Sequence, residues 1–422
     1  MSASFDIQTL GPCDYESPME AAMWVDESSG VLLDAVVSRP ISGSEPHVVL
    51  ESAGPRRRLF FDPSTVRAGI VTCGGLCPGL NDVVRALTMV LWHRYGVREI
   101  LGLRYGYEGL VDSIGHTPIL LEPEKVSDIH QHGGTILGSS RGPQEVPAMV
   151  NCLQNRGINV LFTVGGDGTQ RGALEITREI ARRRLPIAVV GLPKTIDNDI
   201  SFTERTFGFE TAVAMSRMPI VSAHMEAKGA LNGVGLVKLM GRESGFVAAY
   251  SALASSDVNL VLVPEVPFAM EWLLSFLEAR LKRKAHAVVV VAEGAGQDLA
   301  QCDGVDASGN RKLGDIGVLL KNRITEHFKR RSFPVAVRYI DPSYTIRSAR
   351  AEADDSVFCF QLSEHAVHAA MSGRTGMIVG LWNGHFVHIP MERAVEERKC
   401  IDPSGTLWRS VLDNTGQPAR LA

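Results

Sequence analysis

Residues 165–200 read GGDGTQRGALEITREIARRRLPIAVVGLPKTIDNDI. An apolar run, Ile158 to Val164, leads into the first turn, Gly165-Gly-Asp-Gly168. A second run, Ile187 to Leu192, leads into Pro193-Lys-Thr-Ile-Asp-Asn-Asp199. Short β-branched apolar runs that stop at glycine or proline predict strands buried on both faces, as in a parallel sheet. Thr169 to Arg184 has the length and composition of a helix crossing from one strand to the other. The segment therefore reads as a βαβ unit whose strands point the same way. Ligands of open α/β sheets bind beyond the carboxyl ends of such strands. Both acidic turns are expected there, near one another, although Asp167 and Asp197 are far apart in sequence.

The residue types in these turns suit a particular chemistry. Glycines let the backbone approach a large anion and offer N–H groups to it. Asp167 would hold Mg2+ rather than touch the anion, because two anions side by side repel. Asp197 could accept a proton from a substrate hydroxyl. Metal, anion cradle and base are the parts that phosphoryl transfer needs, with positioning supplying most of the rate. GGDG alone also suits a plain strand-to-helix turn. The second turn argues against the plain reading, since it carries three polar groups that a simple loop does not need.

GGDGT at 165–169, PKTIDNDI at 193–200 and Met240-Gly-Arg-Glu-Ser-Gly245 together resemble the 6-phosphofructokinase family, over Arg67 to His388. Lys194 before TIDND, and Tyr339-Ile-Asp-Pro-Ser-Tyr-Thr-Ile-Arg347, are similar to its plant and trypanosomatid ATP-dependent branch and their bacterial relatives. The resemblance implies an α/β fold of two doubly wound parallel-sheet domains, the active site in the cleft between them, plus an N-terminal extension. The expected division is 1–66 for the extension, 67–200 with a contribution from 348–422 for a nucleotide-phosphate domain, and 201–347 for a sugar-phosphate domain. It further implies the substrates ATP and fructose 6-phosphate, Mg2+, and a homodimer or homotetramer, with the extension involved in assembly.

Carried over residue by residue, the resemblance assigns ATP to Gly74, Arg141, Gly142, Gly166, Asp167, Gly168 and Thr169. The sugar phosphate falls to Thr195, Ile196, Asp197, Met240, Gly241, Arg242, Glu293, Tyr344 and Arg347. Asp197 is the base, and Asp199 assists, either as a second metal partner or by holding the turn. Arg141 and Arg242 neutralise charge on the phosphoryl oxygens, while Lys194 and Thr195 position the reacting groups. Some bacterial relatives bring in an arginine from a neighbouring subunit. The matching place here is Gly233, preceded by Asn232, and neither carries a charge. The 6-phosphate then rests more on Tyr344 and Arg347, with Arg338 a further candidate. Those relatives' allosteric control is not carried over.

Bulk properties agree with an enzyme of this kind. The chain has 422 residues, 45% hydrophobic and 21% charged, enough for a large core and two or three domains. A net charge of -4 implies no general affinity for nucleic acid. No apolar run reaches the ~20 residues of a membrane helix. The acidic N-terminus lacks the basic and apolar regions of a signal peptide. Seven scattered cysteines read as free thiols in a reducing cytoplasm.

Elsewhere the reading is more local. Val31–Val37 and His47–Leu50 read as short strands, and Arg56-Arg-Arg58 as a solvated surface run. Gly74-Gly-Leu-Cys-Pro-Gly-Leu-Asn81 sits between a strand and a helix, the context for an anion at a helix N-terminus. Arg104 and Tyr107 either line the nucleotide site or belong to the core. Gly133 to Gly142 is a glycine-rich loop with one cation, Arg141. The 297–312 stretch reads as a loop or short hairpin. Glu265 reads as structural. His365 and His368, three apart, read as helix residues rather than metal ligands. Asn383-Gly384 signals a hairpin.

Two positions bear on the phosphoryl donor. Pyrophosphate-dependent relatives carry an acid where Gly168 stands; glycine leaves room for the α-phosphate of ATP. Lys194 is also typical of pyrophosphate users, so pyrophosphate is the alternative donor. An alternative of another class is a catalytically silent, ligand-sensing subunit, against which intact Asp167, Asp197 and Arg242 argue. Lipid and NAD kinases share GGDGT but would not need TIDND or MGRESG.

Overall fold

The computed structural model describes residues 4–20, 24–36, 47–300, 304–305 and 312–421. The chain divides into two compact units. The first comprises 1–195, 200–208 and 349–398; the second comprises 196–199, 209–348 and 399–422.

The first unit is built on a nine-stranded sheet. In chain order its strands are β1 (Gly30–Leu32), β2 (Val49–Ser52), β3 (Arg67–Thr72), β4 (Glu99–Leu103), β5 (Ile119–Leu120), β6 (Val160–Gly165) and β7 (Ala188–Pro193). Two more belong to it, Met377–Trp382 and His385–Pro390. Five central strands are parallel: Met377–Trp382, β7, β6, β3 and β4. Antiparallel strands flank them on both edges. β6 and β7 are buried at every residue, as their apolar runs require, and pair in register from Val160 with Ala188 to Gly165 with Pro193. Pro193 lacks an N–H and so suits the last position of its strand. The crossover helix α1 (Asp167–Arg183) buries Thr169, Gln170, Ala173, Ile176, Thr177 and Ile180, one stripe at helical spacing.

One side chain of this helix ties the two strands. The buried Gln170 amide donates to the carbonyls of Gly165 at 3.0 Å, Leu192 at 3.3 Å and Thr163 at 3.4 Å. Its carbonyl end lies where a Cβ on Gly191 would stand, so β7 has glycine at its point of closest approach.

The second unit has a four-stranded sheet, parallel throughout. Its strands are Gly233–Leu239, Leu260–Leu262, His286–Ala292 and Ala336–Ile340, with Gly233–Leu239 and His286–Ala292 in the middle. Helices Phe209–Gly229, Phe246–Ser255, Met270–Lys284 and Ile316–Arg330 pack against these strands.

Several expectations need correction. Residues 399–422 belong to the second unit, not the first: helix Thr406–Thr415 packs on Phe246–Ser255, and the Gln417 side chain bonds both backbone groups of Val261. The strand expected over 31–37 ends at Leu32, and Val37 lies outside the described residues. Of the 297–312 stretch, 301–303 and 306–311 also lie outside them. Arg56 is not a surface residue: it is 2% exposed and pairs with Glu27 and Glu51 at 3.4 Å each. It belongs to an ionic group that is buried at its cations and open to solvent at Glu27. Glu51 also meets His388 at 2.7 Å and Arg374, and Arg374 reaches Glu27 at 2.5 Å. Burial would raise the Glu51 carboxyl, but His388 and Arg374 outweigh it and hold it at about 2. His365 and His368 lie in helix Ala353–Met371, where Tyr95 and His368 share a hydrogen bond of 2.8 Å. Asn383 and Gly384, with φ of 48° and 75°, form the two-residue turn between the last two strands.

Gly191→Ala tests the Gln170 tie. The new Cβ would stand 2.2 Å from Gln170 Oε1 and 2.7 Å from Ile378 Cγ2. Moving the amide away breaks its bonds to the strands. Chemical denaturation should show a loss of about 1–3 kcal/mol with the slope unchanged.

Candidate active site

In the first unit, three glycine-containing loops and the Lys194 turn converge at the carboxyl ends of β3, β6 and β7. Gly74 adopts φ +84°, open to glycine, and donates its N–H to Ser140 O at 3.1 Å. Ser139 Oγ donates to Gly74 O at 2.6 Å, closing this pair of loops. Lys194 Nζ donates to Gly75 O at 2.7 Å, and the Lys194 N–H donates to Gly165 O at 3.0 Å. Arg141 Nη2 lies 3.3 Å from where a Cβ on Gly75 would be. Gly142 has φ +104°. Two cations and the N-terminus of α1, with Gly166 as its N-cap, thus face the same loops. Such a surface has the donors and positive charge to hold a polyanion.

Asp167 opens α1, and its Oδ2 accepts from Arg171 at 3.1 Å and lies 3.5 Å from Arg398. A Cβ on Gly168 would meet nothing within 4 Å, so packing does not demand glycine there. Thr169 is buried, and its side chain occupies the space beside Gly165. Tyr107 is core: its buried hydroxyl donates to Thr169 O at 2.6 Å and holds the first turn of α1.

The second unit gathers the other expected residues. Ile196, Asp197 and Asp199 are buried. Asp197 Oδ2 accepts from the Arg242 N–H at 3.3 Å, and Ser244 Oγ donates to Asp197 O at 3.1 Å. The turn 240–245 needs its glycine, because a Cβ on Gly241 would stand 2.4 Å from Ser244 O. Gly294 donates to Gly241 O at 2.9 Å, which sets Glu293 beside this turn. Arg347 reaches Glu293 Oε1 at 3.7 Å. Asp197 is pushed up to about 7, first by burial, then by Asp199 and Glu293, while the Arg242 N–H and Arg347 pull the other way. A carboxyl that titrates near neutrality is matched to moving a proton at physiological pH.

Some expected contacts are not of the kind foreseen. Met240 is fully buried, so its side chain offers no surface to a ligand. Tyr344 is 86% exposed on the short helix Ser343–Arg347. Arg338 pairs with Glu226 at 3.3 Å. Glu265, read as structural, accepts the N–H groups of Gly245 and Ile401 at 2.9 and 2.8 Å and so anchors the 240–245 turn. Gln170 was missed altogether, because a helical glutamine carries no sign that it is buried.

The chain as a whole is similar to known proteins. The chain belongs to the phosphofructokinase family, whose sequence profile matches residues 67–370. It is 46% identical over 432 residues to an ATP-dependent 6-phosphofructokinase of Borreliella burgdorferi, covering 98% of this chain and 97% of that one. The enzyme of the same name from Trypanosoma brucei brucei is 48% identical over 390 residues, covering 91% and 80%. In fold, the chain is similar to a pyrophosphate-dependent phosphofructokinase from Marinobacter aquaeolei, with a TM-score of 0.69 at 20% identity, over 83% of this chain and 91% of that one.

The raised Asp197 has a consequence for stability. The folded state keeps this proton up to about pH 7, whereas an unfolded aspartate releases it near ~4. Stability should therefore fall as pH rises through that window and stay lowered above it. Asp197→Asn removes the buried charge. Its melting temperature near pH 8 should exceed the wild type's by a few degrees, and the difference should vanish in acid. A variant melting at or below the wild type near pH 8 would contradict the assignment.

Proposed function

We propose that the chain transfers the γ-phosphoryl group of ATP to O1 of fructose 6-phosphate, giving fructose 1,6-bisphosphate and ADP, a glycolytic kinase reaction. The observation that carries it is Asp197: a buried carboxyl, titrating near neutrality, joined to the turn that bears Arg242. Near-full-length identity to enzymes named for this activity supports it.

Asp197 takes the proton of O1, and Asp199 keeps that carboxyl's affinity for the proton high. Glu293 and the 240–242 backbone bind the sugar; Arg347 binds its 6-phosphate. Lys194, Arg141 and the glycine loops hold the nucleotide phosphates, and Arg242 meets charge growing on the transferring group. Asp167 is the carboxylate for Mg2+. Among the described residues there is no group of three or more His, Cys, Asp or Glu that could hold a metal. A single carboxylate fits an ion whose remaining ligands are phosphate oxygens and water. When bound, the ion neutralises the phosphates. In its absence Arg171 and Arg398 neutralise Asp167.

ATP is the donor in this reading, because Gly168 borders open space. Pyrophosphate is the second reading, favoured by Lys194 lying against the Gly74–Gly75 loop. We place the enzyme in the cytoplasm as a homodimer or homotetramer. The cysteines at 13, 73, 152 and 359 are free thiols, as expected of a reducing compartment. Met218, Met225 and Leu231 are exposed, as expected of a surface covered by another subunit.

A coupled assay with fructose 6-phosphate and Mg2+ should show turnover with ATP and little with pyrophosphate. Turnover with pyrophosphate alone would reverse the donor assignment, and none with either would overturn the reading. Gly168→Asp should keep the fold, since its side chain enters open space, yet lower kcat/KM for ATP by roughly 100-fold, about 2.7 kcal/mol. Gly168→Ala separates bulk from charge and should cost much less.

A further inference from the structure

Lys238 is the penultimate residue of strand Gly233–Leu239 and plays no part in the reading above. Its side chain is 13% exposed and ends between two carboxylates. Nζ lies 3.2 Å from Asp315 Oδ1 and 2.9 Å from Asp341 Oδ2. A lysine stem is seldom buried this far without a task for its head group. Burial alone would lower its affinity for the proton, but Asp341, Tyr339 and Asp315 outweigh burial and raise it, so the ammonium stays charged.

Each carboxylate controls a different segment. Asp341 Oδ1 accepts from the Ser343 N–H at 3.1 Å and from Ser343 Oγ at 2.5 Å, which starts helix Ser343–Arg347. One turn later that helix presents Arg347 to Glu293. Asp315 caps helix Ile316–Arg330 through the Val318 N–H at 3.1 Å and accepts from Tyr339 Oη at 3.3 Å. Beside Asp315, Gly314 is clasped by Gln297, whose amide donates to Glu293 O at 2.6 Å and to Gly314 O at 3.1 Å. One ammonium group therefore pins both the segment that supports Glu293 from behind and the helix that brings Arg347 to it.

We propose that Lys238 is a positioning residue for sugar-phosphate binding, fixing the Arg347 helix against Glu293; the role rests on the function proposed above. It touches neither substrate nor reacting atoms, so its loss should be read in affinity for one substrate only. Lys238→Met should raise KM for fructose 6-phosphate about 10- to 100-fold, as small misplacements of binding groups do, with kcat and KM for ATP changed by less than about threefold. Lys238→Arg, which keeps the charge, should restore most of the affinity. Asp341→Asn cuts the link at the helix while leaving Lys238 with Asp315. It should raise the same KM, and the double variant should be no worse than Lys238→Met alone.

Wild type and variants are assayed together, with melting curves. Wild-type enzyme inactive on fructose 6-phosphate overturns both the function and this role. An active wild type with an unmoved KM in Asp341→Asn overturns the role alone. So does a Lys238→Met variant that loses affinity for ATP and fructose 6-phosphate in equal measure, since general loosening of the unit would do that. If Lys238→Met does not fold, Asp341→Asn and Lys238→Arg still decide the matter.

Discussion

The parallel pairing of β6 with β7 is the constraint on which the first unit depends. Two strands buried at every residue cannot slip, because a shift of one residue would turn each side chain to the opposite face. Fixed register puts Gly165 beside Pro193, and the chain leaves both strands at one level. Lys194 is thereby delivered to the Gly165 carbonyl and to the Gly74–Gly75 loop. Gln170 reinforces the pair from the crossover helix, using one buried amide to hold carbonyls of both strands. The glycine loops beyond these strands are irregular, yet each is anchored to a strand end that has no freedom of its own.

The second unit carries tension of a different kind. Asp197 is buried beside two other carboxylates, which ordinary folding would avoid. The backbone N–H of Arg242 and the guanidinium of Arg347 compensate only in part. A carboxyl left in this state is a poor contributor to stability and a good proton acceptor at neutral pH. The surrounding turn is correspondingly over-determined: Gly241 and Gly294 admit no side chain, and Glu265 ties the far end of the turn to Ile401.

Much of this was legible in the sequence, and the reasons differ by residue. Val160–Gly165 and Ala188–Pro193 announced themselves because strands buried on both faces must be apolar throughout. Asn383-Gly384 announced its hairpin because few dipeptides accept two positive φ angles in succession. Arg56 deceived, since a run of arginines reads as solvated unless its acidic partners are known; Glu27 comes from an earlier segment and Glu51 from the strand just before it. The 399–422 tail was misplaced for a similar reason: its attachment rests on Gln417 and Val261, a pairing that no local pattern signals. Lys238 carried no motif, because its role depends on two carboxylates far away in the chain. Local rules reveal elements; tertiary pairing of polar groups stays hidden until the fold brings them together.

The ionic group around Arg374 bears on where this protein begins as a folding unit. The family's sequence profile spans 67–370, and by that measure everything upstream would pass for an appendage. Yet Glu27 and Glu51, the carboxylates that neutralise Arg374, and Glu51, the partner of His388, lie within that upstream stretch, on or beside strands of the main sheet. A chain begun at Arg67 would strip Arg374 of both its counter-charges; the loss of Glu51, the more buried partner, sets the scale at up to about 3–5 kcal/mol, while the largely exposed Glu27 adds little. The family profile marks one boundary, whereas electrostatic neutrality marks the piece that can stand alone, and here the second boundary lies well upstream of the first.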